Sequence, residues 1–351
     1  MWLPFSPISL SAAFDVAVRE FALGAQCDFQ GSQSDHVDIL MAKGVAQHVA
    51  VDIAQEIASA GDRLMQLDVP ATEAELLRSL HTDTWFQVRR QSKVLRTAVG
   101  SRQGCRFGGL VFNVIYEKTL GSIRKRAKEA GLIMQMWCDR SKAVWLACNE
   151  GEGLATDVGE TTYVDDQVNL LQAGTPRELL RQLRLLTTIV LEECTSHGLK
   201  LNLKKGKTEA MVHLRGKAAK QTMFTGAVGD ERSVAIEGHE GKRVLVVNEY
   251  KHLGSPLCSD HGMQAWANAR VKSARVAYVP LARKAFGWRT WKRTSRTRLG
   301  WSLVCSRLLY NVHVWHRFGG KPRRTLNRMY MRLWMGHSRQ TDACKAARSH
   351  A

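Results

Sequence analysis

Two adjacent carboxylates, Asp165 and Asp166, sit in the run Thr161-Thr162-Tyr163-Val164-Asp165-Asp166-Gln167-Val168-Asn169-Leu170-Leu171. β-Branched and aromatic residues lead up to the pair, and a second apolar run leaves it. That is the pattern of a hairpin with both acids at its tip. An exposed acidic turn is most simply a solvated loop. Two carboxylates on a rigid turn can also hold Mg²⁺ against substrate phosphates, because hard cations take oxygen ligands. The short string alone supports both readings, and its neighbours must decide between them.

Local pattern gives the elements that would position these acids. Thr175 caps a helix, Pro176 opens it, and Gly198 stops it after about His197. A second amphipathic helix spans about 107–130, preceded by the Gly-bounded loop 97–105. Further helical spacing covers 16–24, 49–67 and 72–81, and strand signals cover 85–94, 137–148, 156–171 and 209–214. Leu199 to Leu203 alternates, and Lys204 to Thr208 is a basic loop. Lys242–Val247 and Tyr250–Leu253 suggest one more hairpin. From Met263 onward the pattern is helical, with breaks expected near Pro280, Gly287 and Gly319-Gly320. The expected fold class is α+β: an antiparallel sheet with packed helices, then a basic helical module.

Composition narrows the partners. The 351 residues suffice for two or more domains, and 44% hydrophobic content is ordinary for a globular chain. No apolar run reaches the roughly 18 residues that span a bilayer, so no membrane partner is expected. Residues 1–14 carry no charge, which suits neither a secretory signal nor a transit peptide. The eight cysteines include no C-x-x-C pair, arguing against a zinc knuckle or a disulfide framework and for a reducing, intracellular compartment. Net charge is +19, and its location matters more than its size. Residues 261–351 hold 20 Lys+Arg against one acid, Asp342, a net of +19, so the other 260 residues cancel at 31 against 31. A basic module on a neutral one is the footprint of a polyanion partner. This segment also carries six of the ten tryptophans, material for a core rather than a low-complexity tail.

Four motifs, in one order, carry a family resemblance. Gly100-Ser101-Arg102-Gln103-Gly104-Cys105 with Leu110-Val111-Phe112-Asn113 resembles the template-and-nucleotide loop and helix of reverse transcriptases. Tyr163-Val164-Asp165-Asp166 resembles their catalytic hairpin. Gly198-Leu199-Lys200-Leu201-Asn202 through Gly206-Lys207-Thr208-Glu209 is similar to the next palm motif. Tyr250-Lys251-His252-Leu253-Gly254-Ser255 resembles the primer grip, in the form typical of LINE-type, non-LTR retrotransposons. Leu308 to Trp315 is similar to the thumb of those elements, and coverage runs from about 85 to 335.

The resemblance implies a right-hand polymerase palm over 1–258 and a basic helical thumb over 259–351. Within the palm, 1–84 is a partial start and 85–258 holds the motifs. It implies an RNA-directed DNA polymerase using two Mg²⁺ ions, an RNA template, a DNA primer and dNTPs, in the nucleus. Asp165 and Asp166 match the catalytic and metal-binding pair, Asp165 the more direct ligand. Arg102, Gln103, Gly104, Tyr163 and Lys207 match nucleotide- or template-binding positions. Tyr250, Leu253 and Gly254 match the primer grip.

One departure bears on activity. The family carries a further metal-binding Asp on a strand just before an Ala-Phe-Asp-like sequence. Ala13-Phe14-Asp15 matches that tail, and counting back places Ser9 where the acid belongs. A serine hydroxyl is an uncharged, poor Mg²⁺ ligand. Asp52, between apolar residues, is the alternative source, although its surroundings read as helix. The fingers region is also missing, so the resemblance implies a retroelement fragment truncated at its N-terminus. Three readings stand: a palm and thumb with impaired catalysis, a non-catalytic nucleic-acid-binding relic, and an unrelated basic helical regulator.

Overall fold

The computed structural model of the chain describes residues 5–9, 23, 33–60, 63–82, 84–87, 92–96, 100, 106–139, 146–147, 154–163, 166–214, 232–252, 255–259, 263–286, 291–312 and 319–348. The fold is mixed α+β, divided into two compact units, 1–247 and 248–351. The division falls at 247/248, before the expected 258/259, so the hairpin built from 249–258 goes with the basic unit.

The first unit is built on a six-stranded sheet. Its strands are β1 (Phe5–Ser9), β7 (Glu160–Tyr163), β8 (Asp166–Leu170), β9 (Glu209–Met211), β10 (Ser233–Ala235) and β11 (Arg243–Val247), in the order β10-β11-β9-β1-β8-β7. All neighbours are antiparallel except β9 and β11. Two smaller sheets pair β2 (Trp85–Gln87) with β3 (Val94–Arg96), and β4 (Met134–Asp139) with β5 (Leu146–Ala147) and β6 (Leu154–Val158).

Two long helices carry the core of this unit. The Arg106–Glu129 helix buries Val111, Phe112, Ile115, Tyr116, Ile123 and Ala127, a stripe at helical spacing. The Pro176–Ser196 helix buries Leu179, Leu183, Leu186, Val190 and Cys194. Arg126 joins the two, donating to Glu193 and Glu192, each at 2.7 Å. The second helix starts where expected: Thr175 Oγ1 accepts from the Glu178 amide at 3.2 Å, and Pro176 needs no partner at the first position. It ends in a left-handed Gly198, φ +76°, with the Leu199 amide returning to the Cys194 carbonyl and the Gly198 amide to that of Thr195.

Burial of Cys194 has a measurable consequence. Desolvation, helped by the neighbouring Glu193 charge, pushes its thiol up to about 12. The folded state therefore favours the neutral thiol. That contribution is complete below the ordinary thiol range near pH 9 and is lost as pH climbs through about 12. Stability to urea is expected to fall over that window, and Cys194→Ser is expected to flatten the fall. Alkylation of Cys194 at pH 8 should proceed only at the rate of unfolding; fast labelling of the folded protein would refute the burial.

Some elements differ from expectation. The 49–67 helix is two, Gln47–Ala60 and Arg63–Gln66. Residues 242–247 do not pair with 250–252; β11 pairs with β10 and, in parallel, with β9. Residues 250–252 contribute instead to a separate hairpin of β12 (Glu249–His252) and β13 (Ser255–Cys258). The expected helix over 16–24 lies, apart from Leu23, outside the described residues.

The second unit is helical after that hairpin. Its helices are Gln264–Leu281, Arg293–Leu299, the short Ser306–Leu308 and the long Gly320–Arg348, with π-helical segments at Ala282–Phe286 and Gly300–Cys305. The break expected near Pro280 is a change of helix type: the α-helix ends at Leu281, one residue past the proline, and π-helical turns continue through Ala282–Phe286. The core gathers Ala267, Val271, Phe286, Val304, Leu308, Met329 and Leu333. Beside it, the buried Arg270 guanidinium lies 5.0 Å from the Trp266 ring and 4.9 Å from Tyr310.

Candidate functional site

Strand direction brings the candidate residues of the first unit to one end of the sheet. β1 runs toward Ser9, and β8 and β9 run against it. Ser9 pairs with Asp166 in register, and Phe5 pairs with Met211, so Glu209 lies toward the Ser9 end. Tyr163, the last residue of β7, also pairs with Asp166. The end of β1, the end of β7 and the starts of β8 and β9 therefore share one rim. Directly opposed Cα atoms of antiparallel strands stand about 4.5–5.5 Å apart. Asp166 is partly exposed there.

The basic loop that enters β9 at this rim is well tied. Asn202 accepts twice: its side-chain oxygen from the Lys204 amide at 3.2 Å, and its carbonyl from Thr208 at 2.9 Å. The buried Glu209 carboxylate accepts from the Gly206 amide at 2.7 Å, and Gly206 takes φ +78°. These bonds fix the backbone, while the Lys204 and Lys207 side chains are exposed. The loop thus offers cations on a rigid support, beside a strand that begins with an acid.

Behind the rim lies a polar string that sequence reasoning missed. Gln167 is fully buried, although it directly follows Asp166. Its Oε1 accepts from the Tyr116 hydroxyl at 2.8 Å, and its Nε2 donates to Asn169 Oδ1 at 3.0 Å and to Glu160 at 3.4 Å. Glu160 in turn accepts from Arg124 at 2.5 Å. Gln167 and Asn169 share one face of β8 by strand alternation, and Tyr116, stacked on Phe112 at 5.3 Å, comes from the Arg106–Glu129 helix. The signal was present: two amides two residues apart inside an apolar strand require buried partners.

Removing either end of the central bond should be felt. Tyr116→Phe and Gln167→Leu are each expected to cost about 1–3 kcal/mol, since each strands a buried polar group. The double variant should cost clearly less than the sum of the two. Urea unfolding of the four proteins measures this; strict additivity would mean that the contact contributes nothing.

The other expected site residues are distributed as follows. Arg102, Gln103, Gly104, Asp165, Leu253 and Gly254 lie outside the described residues, as do the side chains of Ser9 and Tyr163. Among the described residues no group of three His, Cys, Asp or Glu stands ready to hold a metal, a set that excludes Asp165. Tyr250 is buried and pairs with Leu257 within the β12–β13 hairpin of the second unit. Asp52 is an exposed residue of the Gln47–Ala60 helix, not a strand acid. Among the described residues no helix is long and apolar enough to cross a membrane. No protein-family model matches the chain, and no curated protein matches it.

Proposed function

We propose that the chain is the palm and thumb of a LINE-type reverse transcriptase, a nucleotidyl-transfer fold whose catalytic power is impaired. One observation carries the reading. The position that the resemblance assigns to the further metal-binding acid, Ser9, is paired in register with Asp166. Nothing in the local sequence around residue 9 requires that pairing across more than 150 residues, whereas a palm requires it.

The donor chemistry suits the assignment in part. Asp166 opens β8 and Asp165 precedes it in the chain, so the sequence supplies two hard carboxylates of the kind Mg²⁺ prefers, and Ser9 supplies none. Two bound Mg²⁺ ions would activate a primer hydroxyl and stabilise the leaving pyrophosphate. The protein's own groups do the rest. The Lys204–Thr208 loop holds Lys207 on a fixed backbone where it can meet phosphate charge. The Gln167–Tyr116 bond holds the start of β8 against the Arg106–Glu129 helix, and so holds Asp166 in place.

The same serine favours a second reading, a nucleic-acid-binding relic without catalysis. Primer extension on an RNA template separates the two. Mg²⁺-dependent synthesis lost in Asp165→Ala supports the enzyme; tight binding with no extension under any metal supports the relic.

A further inference from the structure

We propose that Trp301, Trp334 and Tyr330 form a stacking ridge for unpaired bases of a single-stranded nucleic acid, with Arg298 and Arg323 beside it to meet the phosphates. The inference rests on reading the basic unit as nucleic-acid-binding, and not on polymerase chemistry. The geometry starts from Gly300, which opens a π-helical segment. Gly300 is buried, and a Cβ there would meet Leu333 at 3.6 Å and Phe286 at 3.9 Å. The buried glycine thus lies in ordinary contact range of Leu333 on the Gly320–Arg348 helix. The next residue on each side is a tryptophan. Trp301 and Trp334 have ring centroids 5.9 Å apart at 51°, and Trp334 meets Tyr330 edge-on at 6.0 Å.

Trp334 and Tyr330 are half-buried against the core, whereas Trp301, laid on Trp334, remains 48% exposed. π-Helical turns recur at functional positions, and this one carries a tryptophan ring half in solvent. Its setting is polar and cationic. Arg298, exposed, lies three residues before Trp301 on the same helical run. On the long helix, Arg323, Asn327, Tyr330 and Trp334 recur at positions i, i+4, i+7 and i+11, one continuous stripe, with Arg323 and Asn327 exposed. With 20 cations against one acid, the segment 261–351 that carries these rings draws a polyanion. Aromatic rings beside phosphate-binding cations are the arrangement that holds single strands, because every base presents a π-face.

The test measures affinity of the full chain for a fluorescent 12-nucleotide single strand and for the matching duplex, at several salt concentrations. Trp301→Ala should weaken single-strand binding about 5- to 150-fold, the value of one stacked base. It should leave duplex affinity within twofold and the salt slope unchanged, and Trp301→Phe should restore most of the loss. Arg298→Ala should instead reduce the single-strand salt slope by about 0.7. An unchanged thermal transition confirms that the exposed site tolerates the change. Equal loss for single strand and duplex, or no loss, would overturn the proposal. So would an equal Trp301-dependent loss for polyglutamate, which would identify an acidic protein partner. If the wild-type chain binds no nucleic acid at 50 mM salt, this inference and the nucleic-acid reading fall together; absent primer extension removes only the enzyme.

Discussion

Binding of the chain to nucleic acid is expected to weaken about 10³- to 10⁵-fold between 50 and 200 mM salt. That is the range for six to ten neutralised phosphates, each releasing condensed counterions. The number of contacts follows from where the cations are and what faces them. In the first unit charge is spent internally: Arg126 holds Glu192 and Glu193, Arg63 holds Glu117, and Arg124 holds Glu160. In 261–351 one aspartate faces 20 Lys+Arg, so that segment cannot satisfy its own cations. Several of them are exposed along two helical runs: Arg293, Arg298 and Arg307 on one, Arg323, Arg324, Arg328 and Arg332 on the other. Replacing Arg323, Arg324 and Arg328 together by Gln should lower the duplex salt slope by about 2.7, three contacts at about 0.9 each. A wild-type slope near zero, or one untouched by the triple variant, would mean that this charge serves something else.

The contrast between the units also shows what sequence can and cannot reveal. The Pro176–Ser196 helix was legible almost to the residue, because its start and stop are chemical: a Thr175 cap, a proline, a left-handed glycine. The α+β class and the basic helical end were legible from periodicity and charge. Partners of strands were not. Residues 242–247 and 250–253 are neighbours in sequence and were expected to pair, yet β11 lies parallel to β9, whose start is more than 30 residues earlier. Parallel pairing needs a crossover, and no local pattern announces one. The hairpin was legible on both flanks of the acids, but the burial of Gln167 was not, since period-2 alternation alone cannot say that both faces of β8 are covered. Near Pro280 the α-helix does end, at Leu281, but sequence did not say that the chain would go on as π-helical turns.

On the proposed palm reading, Ser9→Asp is expected to complete a metal site at the rim and to raise primer extension by about 10³-fold or more. The register makes this a local claim: residue 9 and Asp166 are directly paired, so an acid placed there arises about 5 Å from Asp166 at the backbone. Without metal the change should harm. A carboxylate paired directly with Asp166 adds like-charge repulsion, so the variant should melt below the parent in EDTA. With Mn²⁺ the order should reverse, because a ligand that binds only the folded state stabilises it by RT ln(1 + [L]/Kd). The activity gain follows from the same ligand. A misplaced catalytic ion forfeits several kcal/mol of transition-state stabilisation, and each ~1.4 kcal/mol is tenfold in rate. The comparison uses the parent, Ser9→Asp and Ser9→Asp/Asp166→Ala, each melted with and without Mn²⁺ and each assayed for extension. The double variant should lose both the metal-dependent rise in melting temperature and any gain in extension. The thermal readout keeps the metal site testable even if extension demands more of the fold than this rim. If Ser9→Asp melts alike with and without Mn²⁺, residue 9 is not a metal position and the palm assignment loses its main support. If the parent itself extends primers robustly and Asp165→Ala abolishes it, the third ligand comes from elsewhere, and the serine is no impairment at all.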